Sequence, residues 1–293
     1  MIICKITWGL WNQMFKYAFA KALSLKHWTK IVLDTTGFKQ YKLHKYCLEF
    51  FTINPIYADA KMIPRYEDVT FSNKYIAYVW ELYIKQLCIQ CNPQHYQEKQ
   101  YHFDQSLLNI SSGYIDWYFQ TEKYFIEYEK NIREDFVFAI PPSDDNQEMM
   151  SKIHACNSIS IHIRRWDYIS NTVTNRVHGN CDLLYYEQAI KYIQEKIKNP
   201  VFFLFSDDID WVKENLKIEY ESHYIDFNNA DKNYEDMRLM SNCKHNIIAN
   251  SSFSWRWAWL NQNKDKIVIA PQRWFNDHKR NYSDIIPHSR TTI

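Results

Sequence analysis

Three short stretches carry most of the side chains able to do chemistry. In IHIRRWDY, Arg164 and Arg165 stand side by side and Asp167 follows. Two adjacent guanidiniums are costly to bury unless an anion shares the site, and a diphosphate matches their fork geometry. Asp167 can hold one of them in place; the plain alternative is a solvated surface pair capped by Asp. In VFFLFSDDIDW, an apolar run delivers Ser206, Asp207 and Asp208. A carboxylate there can accept hydrogen bonds from a purine or ribose. Asp208 and Asp210 also read as a metal clamp for a nucleotide sugar, or as an N-cap for the helix that begins near Asp210. In HNIIANSSFSW, Asn250, Ser251 and Ser252 precede a helical run. Hydroxyls and N–H groups at a helix N-terminus form a phosphate site, or one serine simply caps the helix.

Each stretch needs an element to hold it. SISIHI alternates as a strand and ends at the arginines; VFFLF is a short buried strand; HNIIA is another. Helical spacing follows in YYEQAIKYIQEKIK, DWVKENL and SFSWRWAWLNQ, and KIVIAP reads as the final strand. The N-terminus repeats the rhythm, with strand IICKIT, helix NQMFKYAFAKALSLKH and strand KIVLD forming a βαβ beginning. Residues 39–140 are aromatic and mixed, with a helical stretch KYIAYVWELYIKQLCIQ, and IPPSDDNQE reads as a linker. The expected architecture is α/β: two Rossmann-like domains, 1–145 and 146–293, facing a cleft. Ligands in such sheets sit at the C-terminal strand ends, where all three stretches fall.

Bulk composition narrows the function. The chain has 293 residues, a net charge of +1 and no basic tail, so nothing favours nucleic-acid binding. No apolar run reaches the ~18–20 residues of a membrane span, and MIICKITW is no signal peptide. A soluble cytoplasmic protein is expected, with or without peripheral contact at the inner membrane. Seven cysteines are scattered. Cys88, Cys91 and His95 give one CxxC with a nearby His, too little for a zinc site without a second pair. Glycine is oddly scarce, 4 residues where average usage gives about 20, and tryptophan is abundant at 11.

The order WGLWNQMFKYAFA, HIRRWDY, FSDD and DMRLMSNCKHNIIANSSFSW resembles the bacterial α-1,2-fucosyltransferases of glycosyltransferase family 11, over roughly residues 3–275. The resemblance implies a GT-B fold, GDP-β-L-fucose as donor and a terminal galactose as acceptor. It also implies inversion at the fucose anomeric carbon with no required metal or other cofactor. The first domain would then lie on the acceptor side and the second would bind GDP-fucose. By the same resemblance His162, Arg164, Arg165 and Asp167 belong to the donor site, with Arg164 stabilising the leaving diphosphate. Asn12 and Gln13 lie near the transferred sugar, and Asp207, Asp208, Ser251 and Ser252 hold guanosine and diphosphate. No general base is assigned, and His178 is either an acceptor-side residue or part of a structural loop.

The departures from the family pattern are of one kind. Trp8, Trp11, Trp117 and Trp166 stand where the pattern has glycine, and Trp257 where it has glycine or alanine. Trp28 sits where a glycine C-cap would suit a helix end. Some bacterial codes read UGA as glycine and others as tryptophan, so these positions read as mis-decoded glycines. Arg256, where the pattern has Trp, is not explained this way. The rival reading is that the tryptophans are real and the loops have moved to hold them. Three functional alternatives accompany the fucosyltransferase reading: a metal-dependent GT-A-type transferase using Asp208 and Asp210, a nucleotide-sugar-binding protein whose tryptophans block turnover, and a nucleic-acid binder.

Overall fold

Two parallel sheets organise the computed structural model of the chain, which describes residues 1–39, 43–63, 94–98, 102–165, 179–277 and 281–293. They belong to separate units, Met1–Phe136 and Val137–Ile293. The division falls before the expected linker, and half of that linker is helical. Asp144 and Asp145 open a helix behind Ser143, because two carboxylates in a first turn complement the helix dipole.

Unit 1 runs β1 (Ile2–Lys5), α1 (Leu10–Lys26), β2 (Ile31–Asp34), β3 (His95–Tyr96), β4 (Gly113–Ile115) and α2 (Glu129–Asp135). Its strand order is β2-β1-β4-β3. β1 and β2 are almost continuously apolar and buried, as parallel strands must be when both faces are covered. Helix α1 is buried nearly all round, from Leu10 to Leu23, and carries Lys16 inside that apolar surface. The expected helix over KYIAYVWELYIKQLCIQ lies outside the described residues, as do Cys88 and Cys91.

Unit 2 runs α3 (Asp144–Ala155), β5 (Asn157–Ile163), α4 (Leu183–Lys196), β6 (Pro200–Ser206), α5 (Ile209–Asn215), β7 (Ser222–Ile225), α6 (Asn233–Asn242), β8 (His245–Ile247), α7 (Ser252–Leu260), β9 (Val268–Ala270) and β10 (Thr291–Thr292). The order is β10-β9-β8-β5-β6-β7. The chain passes from β5 to β6 on one side and from β8 to β9 on the other. The gap between β5 and β8 is therefore the topological switch point, where α/β sheets bind ligands. KIVIAP is not the last strand: β10 adds an edge beside β9.

The alternation of SISIHI is not an inside–outside pattern. Ile159, Ile161 and Ile163 pack with Phe202, Leu204 and Ile190. The alternate residues Ser158, Ser160 and His162 are buried too. They face partners rather than water: the Asn246 side-chain amide donates to Ser160 Oγ at 2.8 Å and the Lys244 backbone N–H to Ser158 Oγ at 3.1 Å. Buried polar groups persist where each finds such a partner. Among the described residues no helix is long and apolar enough to cross a membrane.

Candidate functional site

The register between β5 and β6 builds the centre of the site. Seven pairs run from Asn157 opposite Pro200 to Ile163 opposite Ser206. The next two residues of each strand therefore leave the sheet side by side, two arginines against two aspartates. Arg164 Nε lies 3.3 Å from Asp207 Oδ2, and Arg165 Nε 3.2 Å from Asp208 Oδ2. The backbone N–H of Arg165 donates to Asp207 Oδ1 at 2.8 Å. The Arg165 guanidinium carbon also lies over Trp211 of α5, 3.3 Å from the ring centroid. Charge, hydrogen bond and stacking thus fix one planar cation, which Arg does better than Lys because its fork is rigid.

Asp208 and Asp210 do not converge. Asp208 faces Arg165, while Asp210 is exposed and lies 3.6 Å from Lys213. The Asp208 N–H is turned toward the Ser206 hydroxyl at 3.0 Å.

His162 stands two positions before Arg164 and is buried. Its Nδ1 lies 2.6 Å from Ser254 Oγ in α7, and its ring packs edge-on to Phe253. Burial, aided by the Arg164 charge, pushes its pKa down to about 3. A neutral imidazole tied to a helix serine joins β5 to α7. The Tyr186 hydroxyl secures the same spot by donating to the His162 carbonyl at 3.2 Å.

The serine turn is a helix start first. Ser251 caps α7 by accepting from the Phe253 N–H at 3.2 Å, and Ser252 is the first residue of the helix. Asn250 is structural: its amide donates to the Gly179 and Trp274 carbonyls at 3.0 and 3.2 Å. Asp167, Trp166 and His178 lie outside the described residues.

In unit 1 the two expected sugar-side residues differ in role. Gln13 is fully buried and its amide is spent on the loops around it. It donates to the Trp8 and Lys45 carbonyls, both at 2.8 Å, and accepts from the Cys47 N–H at 2.9 Å. It therefore shapes the loop before α1. Asn12 accepts from the Gln120 amide at 2.8 Å. That loop is where glycine was expected. Trp8 has φ 71°, in the left-handed region, and Trp28 has φ 51°. The Trp11 ring comes within 2.8 Å of where a Cβ on Gly9 would lie. Trp257 is wholly buried, and its indole N–H has no acceptor among the described residues.

Sequence reasoning passed over Trp211, Lys5, Lys16 and Asp116. Lys16 had a signal, a lysine inside the apolar stretch MFKYAFA; the pairing of Lys5 with Asp116 at 2.9 Å spans 111 positions and had none.

The sequence model of glycosyl transferase family 11 matches residues 1–287. An α-1,2-colitosyltransferase of Escherichia coli is 35% identical over 297 residues, covering 100% of this chain and 99% of that protein. The Escherichia coli O-antigen biosynthesis glycosyltransferase WbnK is 47% identical over 121 residues, 41% of this chain and 39% of its own. In fold, the chain is similar to Arabidopsis thaliana FUT1 in complex with GDP, with a TM-score of 0.51 at 10% identity, over 91% of this chain and 69% of that one.

Proposed function

Because the chain belongs to glycosyl transferase family 11, we propose that it moves L-fucose from GDP-β-L-fucose to the 2-hydroxyl of a terminal galactose, inverting the anomeric carbon. One observation carries the reading: two arginines, each braced by its own aspartate, stand at the switch point of a parallel sheet. As the glycosidic bond breaks, negative charge gathers on the departing diphosphate. Cations already held in place stabilise that charge without reorganising. Arg164 and Arg165 take this role. Asp207 and Asp208 aim them, Asp208 with a further contact to the nucleoside, and the Ser251–Ser252 helix start lies toward the phosphates. Asp167 completes the arginine motif, Asn12 lies on the sugar side, and His162 and Gln13 act as positioning residues. The second unit binds donor and the first serves the acceptor, in the cytoplasm, and no metal is part of this reading.

A second reading has its own support: the full-length similarity to an α-1,2-colitosyltransferase. Colitose is fucose without its 3-hydroxyl, so the same diphosphate machinery serves either donor.

The test is transfer to lactose with EDTA present, from GDP-fucose and GDP-colitose in parallel. It is run on the chain as written and on one with glycine at positions 8, 11, 117, 166 and 257. Transfer from GDP-fucose supports the first reading. Transfer from GDP-colitose alone moves the assignment to the second. Activity only in the glycine form makes the tryptophans a decoding error. Loss of all transfer with EDTA, restored by a divalent ion, would overturn the metal-free chemistry.

A further inference from the structure

Unit 1 ends its central strands in a second cluster that the donor chemistry leaves unused. β1 and β4 pair with Cys4 opposite Ile115. The residues that follow, Lys5 and Asp116, emerge together, and Lys5 Nζ lies 2.9 Å from Asp116 Oδ2. Lys16 reaches the same carboxylate from α1: its buried Nζ is 3.2 Å from Oδ1 and donates to Thr7 Oγ1 at 2.7 Å. Burial lowers the Lys16 pKa. Burial alone would raise Asp116, but the two ammoniums outweigh it and hold the carboxyl below its ordinary range.

These groups front a cavity of about 300 Å³ whose other walls include Trp8, Trp117 and Tyr118. The Trp8 and Tyr118 rings lie 6.0 Å apart and tilted by 31°. The volume is at the small end for ligand pockets, enough for one sugar ring and too small for a nucleotide. Asp116 engages both ammoniums and cancels one of their charges, so the cluster presents a paired acceptor and donors rather than a bare cationic site. A neutral ring with an apolar face and vicinal hydroxyls fits: Tyr118, the aromatic wall that does not stand at a glycine position of the family pattern, takes its C–H side, and the carboxylate–ammonium pair offers an acceptor beside a donor.

We propose that this cavity binds one pyranose of the glycan acceptor, with Asp116 and Lys5 on neighbouring hydroxyls, Tyr118 against the ring, and Lys16 positioning Asp116. The proposal rests on the galactoside-transfer reading above and names the residues of its acceptor side.

Lactose is the probe, and GDP the control. Lactose dissociation constants are measured by ligand-observed NMR for the full chain and for Tyr118→Ala and Asp116→Asn, with GDP binding measured beside them. Each substitution should weaken lactose about tenfold, the loss of one good contact, and leave GDP affinity unchanged. Asp116→Asn risks the fold by stranding Lys16, so the unmutated chain supplies a second readout. Saturating lactose should slow reductive methylation of Lys5 several-fold, and GDP should not. Unchanged lactose affinity in folded Tyr118→Ala, or Lys5 modified at the same rate with lactose present, overturns the pocket while GDP binding and transfer stand. A chain that binds neither lactose nor GDP overturns both the pocket and the transferase reading.

Discussion

The two units finish their central strands with different kinds of ion pair. Unit 2 sets two arginines against two aspartates, one to one, on residues that keep partial contact with solvent. Unit 1 sets two lysines on one aspartate, with Lys16 wholly inside. The guanidinium is a rigid fork suited to a two-pronged anion; the ammonium is a compact charge that suffers from burial. Unit 2's cations are thus rigid, partly open forks, whereas unit 1's cations fix a carboxylate. The first arrangement should show up in catalysis and nucleotide affinity, the second in stability.

The strongest way to break this contrast is Arg164→Ala. Transfer should fall about 10²–10³-fold, the usual cost of one preorganised charge-stabilising donor, with an unchanged circular dichroism spectrum. A near-normal rate would remove Arg164 from the chemistry. Next is Lys16→Met, which leaves Asp116 with Lys5 alone; breaking a buried pair costs about 3 kcal/mol, read by urea denaturation. The matching Arg165→Met change should cost at most about 1 kcal/mol of stability while weakening GDP. Equal stability losses would erase the distinction.

Each unit also holds a carboxyl that burial pushes well above its ordinary range. Burial raises Glu98 to about 8, although Tyr124 and the Phe119 N–H donate to it, and raises Asp236 to about 7 against the Asn228 hydrogen bond. A folded state that keeps a proton the unfolded chain has lost becomes less stable as pH rises. The wild-type chain should therefore lose stability between about pH 4.5 and 8. Glu98→Gln should remove several kcal/mol of that loss across the window, and an unaltered pH dependence would mean that Glu98 ionises freely. Asp208→Asn comes next, with GDP affinity reduced about tenfold, as for one charge-assisted contact; unchanged affinity takes Asp208 out of the site.

The smallest effect sharpens the tryptophan question. Trp28 is 95% exposed, so Trp28→Gly sacrifices almost no packing. It should relieve about 1 kcal/mol of left-handed backbone strain and raise Tm, and codon 28 should be TGA. A lower Tm, or a TGG codon, would restore the tryptophans as native. Trp8 shares the left-handed backbone, whereas Trp11, Trp117 and Trp257 do not. At those three the misfit is crowding at Gly9 for Trp11 and a buried indole N–H with no acceptor among the described residues for Trp117 and Trp257.

Strand ends were legible in the sequence because an apolar run that stops at charge has only one way to sit in a parallel sheet. The motifs of unit 2 are contiguous, so their placement followed. Which aspartate meets which arginine was not legible, since it depends on the β5–β6 register. The hydrogen bonds of Gln13 were not legible for a related reason: its partners Lys45 and Cys47 arrive from a distant loop. The alternation of SISIHI hid a second buried face, because a serine bonded to Asn246 and a serine facing water look the same on paper. The helix over Asp144–Ala155 was not legible because proline and aspartate mark a helix start as readily as a linker.

The seven-pair register of β5 and β6 also constrains how the gene can change length. One codon gained or lost inside either strand would invert the faces beyond it and part the arginines from their aspartates. Insertions and deletions between relatives should therefore collect outside residues 157–165 and 200–208, and leave these two strands at fixed length.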